Sequence, residues 1–544
     1  MADKSFDAII IGGGNKGLVT AMYLAKYGGM EVAIFERRHE LGGGWSSEES
    51  AAPGFITNTH AATIGKFYHT VMSWDFPDFE EKGGKWIPYI VAHGSIFEED
   101  HSCVGIYGED YDPHQEKSAQ EIARFSEKDA DTWLEWWKKW KEKIEPAFLK
   151  TIYNPVPPPG IPGPLEEALR DPQLGIEPIW QVQSPIGVLR DLFESEALHA
   201  HFLRTVHAWS GNNPPDNGAA GLAQFLGNFL FTQYGCIEGG THSWAHACHK
   251  IFLENGGKSF TKQEVEKVII ENGRAKGIRL TDGSEIEARK LVVSSLDPYT
   301  LVFRLMGEEH FEPRTLRRVK YLERRNIAIS WYHWAVHELP HYKAAEINPD
   351  IDKCGALNLI TKDPEALIRE CAWKKIGKMP PELTLMVWSH SIIDNKQAPE
   401  GKYTVASEQF VLSADRLTEK EWREFKNKHA EDVIQHWQKY APNMTWDNII
   451  DYDPLTPFDC VRLKNMGPVG NWAVIDNIPS QTGRFRPVPE LARHKTPIEN
   501  LYATGTAWPF TACAMVCQGY NCYKVIAEDF KEVKKPWEVE GRAF

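Results

Sequence analysis

Residues 7–17 read Asp7-Ala-Ile-Ile-Ile-Gly-Gly-Gly-Asn-Lys-Gly17. The apolar run Ala8 to Ile11 leads into Gly12-x-Gly14-x-x-Gly17. A helical pattern then starts with Leu18, Val19, Ala21, Met22 and Leu24, and a second apolar run, Val32 to Phe35, ends at Glu36. Strand, glycine loop, helix, strand and acid in this order make a dinucleotide-binding unit. Gly12 permits the tight turn. Gly14 lets the backbone approach a pyrophosphate, and Gly17 lets the helix pack close to the strand. The free N–H groups of the helix start point at the phosphates. Glu36, about 20 residues further on, suits the ribose hydroxyls.

A chain of 544 residues is long for one core and calls for two domains or a large α/β body. Hydrophobic residues make up 42% and charged residues 25%, the composition of a folded globular protein. Its 61 basic and 75 acidic residues leave a net charge of −14, which argues against nucleic acid as a partner and against general adhesion to anionic lipid. The first strand begins almost at once, with no charged-then-apolar leader, and no run of 18 apolar residues occurs. Nine scattered cysteines include no C-x-x-C pair, so reduced thiols and a cytoplasmic location are expected, with peripheral contact with a membrane left open. Cys513, Cys517 and Cys522 lie close together, but their spacing fits no usual zinc pattern, and no metal is expected.

A second glycine turn, Gly42-Gly43-Gly44-Trp45, follows Glu36 by six residues. Nicotinamide-dependent enzymes have no need of it. In the form acid-x-Arg-x-x-x-Gly-Gly the sequence resembles the FAD-dependent oxidoreductases of the phytoene desaturase type, within the broader amine oxidase and desaturase superfamily. Glu36, Arg38, Gly42 and Gly43 match, while Gly44 stands where the family usually has a basic residue. Gly54-Phe-Ile-Thr-Asn58-Thr-His60-Ala matches the next segment, which in the family approaches the flavin ring. Gly239-Gly240 and Ser294-Ser-Leu-Asp297-Pro match further segments, as does the closing stretch Leu501 to Gly505 with the helix expected over Ala514–Phe530. The resemblance implies non-covalent FAD held by Gly12, Gly14, Gly17, Glu36, Arg38, Gly42, Gly43, Gly44 and Trp45. Val265 would serve at the adenine side, Gly505 at the ribitol, and Met515 and Val516 at the flavin. The residues 509–517 are bulkier than the family's glycine-rich stretch, which points to a reshaped pocket and a substrate smaller than a carotenoid.

The expected fold class is α/β: a Rossmann-type FAD-binding domain assembled from residues 1–70, 235–300 and 465–535, plus an α+β substrate domain of residues 71–234 and 301–464. The substrate domain carries a mixed or antiparallel sheet and helices, and 536–544 form a tail. Residues 264–294 read as a three-strand meander with Asp282-Gly at a hairpin. A long helix is expected over 116–144, with Trp133, Trp136, Trp137, Trp140 and Ile144 on one face, either buried as core or walling an apolar tunnel. The proline-rich stretch 153–164 cannot be helix or inner strand.

No second G-x-G-x-x-G unit is present, so electrons are expected to enter from an organic substrate and leave to dioxygen, a quinone or a carrier protein. The leading expectation is a dehydrogenase (desaturase) that introduces a C=C bond into a hydrophobic isoprenoid-like or alicyclic molecule, by hydride transfer to the flavin. The alternatives are an isomerase or hydratase that needs reduced flavin, an amine oxidase, and a non-enzymatic prenyl-binding chaperone. His60 is the first catalytic candidate, a polar group near the flavin with Asn58 beside it, and His242 is a weaker possibility for that place; Trp508 is a candidate wall. A homo-oligomer is left open.

Overall fold

The run Ala8 to Ile11 is buried on both sides because it lies inside a parallel sheet. The computed structural model describes residues 4–211, 213–218, 220–464, 466–467, 469–510 and 514–544. The strand Lys4–Ile11 pairs in parallel with Val32–Phe35 on one side and Glu285–Ser294 on the other. Lys258–Phe260 extends the sheet beyond Val32–Phe35, and Leu501–Ala503 pairs in parallel with Glu285–Ser294. The strands Arg274–Leu280 and Val265–Glu271 add the antiparallel meander, so one long strand, Glu285–Ser294, belongs to both parts. Separated segments thus build one sheet.

Alternation along the first strand divides the core in two. Ala8 and Ile10 pack with the helices Asn15–Lys26, His242–Glu254 and Cys517–Asp529. Ile9 and Ile11 pack with the meander and with Leu301, Leu305 and Val319. Gly17 is needed for the first of these layers: a Cβ there would lie 2.4 Å from the carbonyl O of Gly12.

The second large sheet has the order Ile449–Leu455, Ile329–Val336, Tyr403–Phe410, Leu385–Trp388, Cys354–Ile360, Val91–Phe97, Cys103–Tyr107. All neighbours are antiparallel except Cys354–Ile360 with Val91–Phe97. One face, carrying Tyr332, Trp334, Val387 and Val405, is covered by Ala430, Val433, Ile434 and Trp437 of the helix Glu419–Tyr440. The other face carries Trp331, Met386, Trp388, Ala406 and Phe410, and meets Ala62, Ala208 and Ala473 from three separate segments.

The helix expected over 116–144 is broken. Glu116–Ala123 ends before Ser126, whose hydroxyl accepts the N–H of Asp129 and starts a new helix at Glu127. Trp133, Trp136, Trp137, Trp140 and Ile144 are all buried, against Phe202, Phe225 and Phe229 among others, so the aromatic row is core and walls no tunnel. The last helix begins at Cys517 rather than Ala514, and residues 511–513, including Cys513, lie outside the described residues. The terminal segment is docked rather than loose: Phe544 is buried and stacks on Tyr153, with ring centroids 4.9 Å apart.

Candidate active site

The two glycine turns meet at the start of the helix Asn15–Lys26. The N–H of Gly42 donates to the O of Gly13 at 2.8 Å, and the N–H of Asn15 donates to the O of Gly42 at 3.1 Å. An elongated cavity runs over this junction. Gly12, Gly14, Gly43 and Gly44 form its floor, Glu36 and Arg38 one wall, and Gln263 to Val265 the adjacent end. Gly505, Thr506 and Ala507 line it further along, with His60, Lys464, Met466 and Trp472 also on its lining.

The electrostatics suit a dinucleotide. The first turn of the helix holds no acidic side chain, so its positive end faces the cavity uncancelled, and Lys16 lies on the lining. The Glu36 carboxylate accepts the N–H of Gly13 through Oε2 and the N–H of Arg38 through Oε1, each at 2.8 Å. One acidic group therefore fixes the first glycine turn and the chain just after the second strand while lying on the cavity wall. A Cβ built on Gly14 meets no atom within 4 Å, which leaves that part of the floor open to close backbone approach. These residues fit a pyrophosphate flanked by a ribose.

His60 is 8% exposed and lines the cavity. Burial, followed by the charges of Lys464 and Lys16, pushes its imidazole down to about 3, so it is neutral at physiological pH. Lys464 forms an ion pair with Glu48. Asn58 lies behind: its amide O accepts the N–H of Thr241 at 2.8 Å, and its carbonyl O lies 2.9 Å from Nε2 of His333. His333 and His390 are pushed down by burial, to about 3 and about 4. A small second cavity is lined by Asn58, Ala62, His333, Trp388, His390 and Ala406. It lies against the aromatic face of the second sheet.

Of the residues singled out in the sequence, Gly12, Gly14, Glu36, Arg38, Gly43, Gly44, His60, Val265 and Gly505 come together on the main cavity. The others take supporting places. Gly17 and Gly42 fix the packing of the turns. Trp45 is fully buried, with Nε1 donating to the O of Ala514 at 3.0 Å. Met515 and Val516 sit in the hydrophobic core, where the N–H of Val516 reaches the O of Tyr68. Trp508 corrects the expectation of a substrate wall. Its indole is fully buried against the back of the first sheet, and its Nε1 donates to the O of Leu491 at 3.0 Å. His242 is held by the O of Trp45 and by Glu40, away from the lining. Lys16, Gln263, Arg304, Lys464, Met466 and Trp472 also line the cavity. Lys16 carries a signal in the sequence, since it lies inside the first motif. Lys464 and Trp472 come from a stretch without a spacing signal.

The fold and the site define a Rossmann-type flavoprotein oxidoreductase. Residues 10–74 match the model of the NAD(P)-binding Rossmann-like domain. The chain is 25% identical over 97% of its length to one of the polypeptides of limonene dehydrogenase from Castellaniella defragrans, covering 95% of that polypeptide. It is 26% identical over 97% of its length, and 94% of the relative's, to the mouse pyridine nucleotide-disulfide oxidoreductase domain-containing protein 2. Cyclohexylamine oxidase from Brevibacterium oxydans superposes with a TM-score of 0.58 at 13% identity, over 97% of this chain and all of the other, which shows the shared fold. Shorter stretches are similar to desaturases: 35% identity over 12% of the chain to a 4,4'-diapophytoene desaturase from Methylomonas, and 24% over 46% to a phytoene desaturase from Cereibacter sphaeroides. Among the described residues no helix is long and apolar enough to cross a membrane.

Proposed function

We propose that the protein is an FAD-dependent dehydrogenase of the desaturase type, acting on a hydrophobic alicyclic or isoprenoid-like molecule. The observation that carries this reading is the continuity of the main cavity from Glu36, over Gly14 and Gly43, to His60. Nearby, the second sheet presents a face of Trp331, Met386, Trp388 and Phe410. Trp472, on the lining of the polar trough, packs against this aromatic cluster and brings the two close together. The full-length similarity to a protein named for limonene supports the substrate class.

In this reading Glu36 holds the ribose, Gly14 and Gly43 the pyrophosphate, the Val265 backbone the adenine, and Gly505 the ribitol, without a covalent link. The segments 1–70, 235–300 and 465–535 bind the cofactor, and 71–234 with 301–464 enclose the substrate. When bound, FAD supplies the two-electron acceptor for C–H oxidation. The protein's share is to desolvate and orient. Neutral His60 carries no charge that would draw water in, and it offers one ring nitrogen as acceptor for a proton. The aromatic face excludes water from the substrate.

Anaerobic titration of the yellow protein tests the reading. NADH and NADPH should leave the visible flavin band intact, while a monocyclic terpenoid or alicyclic substrate should bleach it. Rapid bleaching by a nicotinamide would overturn it. Electrons then leave to dioxygen, a quinone or a carrier protein, which reoxidation rates would separate.

A further inference from the structure

One residue on the main cavity holds a strained backbone. Val474 has φ +70, in the left-handed region, where a β-branched side chain crowds its own main chain. Among the described residues, the other non-glycine residues with positive φ are histidine, glutamine, lysine and asparagine, and none of them is β-branched. The same stretch of chain uses glycine for such turns elsewhere: Gly467 has φ +60 and Gly470 φ +75. Glycine would take the conformation of Val474 without strain. The valine is therefore accounted for by its side chain, and Val474 lines the main cavity together with Leu296, Trp472 and the turn Gly505 to Ala507.

A buried arginine holds this conformation in place. Arg486 is fully buried. Its Nη2 donates to the O of Ala473 at 2.8 Å and lies 3.5 Å from the O of Ile475, so it grips the chain on both sides of Val474. The same nitrogen donates to the O of Thr506 at 3.1 Å, in the second lining segment. Nη1 donates to the O of Gln481 at 3.0 Å and to Oδ1 of Asn477 at 3.1 Å, which fixes the guanidinium from behind. Each of these acceptors is a carbonyl oxygen, so the arginine positions the chain rather than neutralising a carboxylate. Burial lowers its guanidinium to about 9, against the opposing charge of Asp476, so it is cationic at neutral pH and its hydrogen bonds are charge-assisted. The bend is tied from the other side as well. The N–H of Val474 donates to the O of Asn471 at 3.0 Å, and the N–H of Ala473 to Oδ1 of Asn471 at 2.8 Å.

We infer that Val474 and Arg486 form a clamp on the cofactor: Val474 packs against the cofactor beyond its pyrophosphate, and Arg486 fixes the spacing between the Val474 bend and Thr506. This rests on the FAD reading, in which Gly505 lies at the ribitol, and adds one binding and one positioning residue to it. Arg486 is not on the lining and acts through the two segments it bonds. Glu36, Gly14 and Gly43 hold the ADP half of the cofactor, and the clamp acts on the ribitol and flavin half. A wall kept strained by the bonds around it is ordered before the cofactor arrives, so binding does not have to order it.

The test is calorimetric titration of the full-length, flavin-free chain with two probes, FAD and ADP. ADP carries the adenine, ribose and pyrophosphate and lacks the ribitol and flavin. Val474→Gly removes the side chain and the strain together. It should weaken FAD about tenfold, through a lost contact and lost pre-organisation, and leave ADP within about twofold. Arg486→Lys keeps the charge but cannot span the carbonyls of both segments, and should split the two probes in the same way. If Arg486→Lys does not fold, Val474→Gly carries the test alone. Equal loss for FAD and ADP in Val474→Gly would overturn the inference, because it marks general damage to the site, and so would wild-type affinity for FAD. A wild-type protein that binds ADP but not FAD would sink the FAD reading, and the clamp with it.

Discussion

A Cβ placed on Gly43 would lie 2.9 Å from the Cα of Gly14. The two glycine turns therefore touch backbone to backbone, and the contact leaves no room for a side chain on Gly43. Gly43 is also left-handed, with φ +57. Gly14 has an ordinary φ of −62, and a Cβ there meets nothing within 4 Å. The same substitution should thus separate two roles. Gly43→Ala carries backbone strain of about 1–3 kcal/mol in addition to the clash, and should lower the stability of the protein even without cofactor. Gly14→Ala should melt like the wild-type apoprotein yet bind FAD about tenfold more weakly, because the new methyl occupies the pyrophosphate floor. Apoprotein melting and FAD titration read the two effects apart. Wild-type affinity in Gly14→Ala would move the pyrophosphate away from this turn.

Glu36 holds the first glycine turn and the backbone at Arg38 and lies on the cavity wall, so its removal should cost twice. Glu36→Ala loses the acceptor for the N–H groups of Gly13 and Arg38 as well as the ribose acceptor. A loss of FAD affinity of at least about tenfold is expected, since hydrogen bonds to charged groups are worth about 1.5–3 kcal/mol. Glu36→Gln should fall between the two. Quenching of flavin fluorescence on binding gives the constants.

The parts of this site legible in the sequence share one property: their role is fixed by spacing along the chain. The turns at Gly12 to Gly17 and at Gly42 to Gly44 are local, and Glu36 ends the strand between them, so the order of residues prescribes the geometry. The sheet was legible for the same reason, since the runs 8–11, 32–35 and 285–294 carry their own periodicity. Trp508 shows the limit. It follows Gly505 by three residues, and nothing in that spacing says whether the indole points to the cavity or to the back of the sheet; packing against Ile11 and Leu501 decides for the back. Lys464 and Trp472 reach the cavity from a non-repeating segment.

His60 should affect turnover more than binding. Its ring is neutral well above pH 4, because burial holds it near 3. His60→Ala should keep its flavin and bleach about 10²-fold more slowly with substrate, the scale expected for loss of a positioned proton acceptor. The wild-type rate should show no inflection from His60 between pH 5 and 8. A variant that bleaches at the wild-type rate would leave His60 a structural residue only.

Buried imidazoles should also make the fold acid-sensitive. His60, His93 and His333 are held near 3, and His69, His390, His429, His436 and His494 near 4, in each case chiefly by burial. Unfolded histidine titrates at about 6.5. Between pH 6.5 and about 4 the unfolded chain therefore binds more protons than the native one, and stability falls as pH is lowered. Glu408 works the other way: its raised value makes its contribution fall as pH rises from about 4.5 toward 8. Asp476, raised by burial to about 6, acts in the same sense as Glu408, as do the raised Asp352 and Asp453. With eight imidazoles against four carboxyls, the denaturant midpoint should drop from pH 7 to pH 5. A flat profile over that interval would show that these rings gain protons in the native state.

The docked C-terminal segment hangs on one buried carboxylate. Asp75 is 3% exposed, accepts the Tyr23 hydroxyl at 2.5 Å, and is paired with Arg542 through Nη1 at 2.5 Å and Nη2 at 3.1 Å. Arg542→Met should leave Asp75 buried with its charge uncompensated, at a cost of about 3–5 kcal/mol. The Tyr23 hydroxyl then remains on the carboxylate but carries no charge, while Tyr27 and Lys26 donate to the backbone O of Asp75 rather than to the carboxylate. Replacing both partners, Arg542→Met with Asp75→Asn, should cost less than the sum of the single changes, because the stranded charge is gone. The double-mutant cycle in denaturant midpoints measures this coupling. Additive single effects would show that the stacking of Phe544 on Tyr153, rather than the ion pair, holds the segment down.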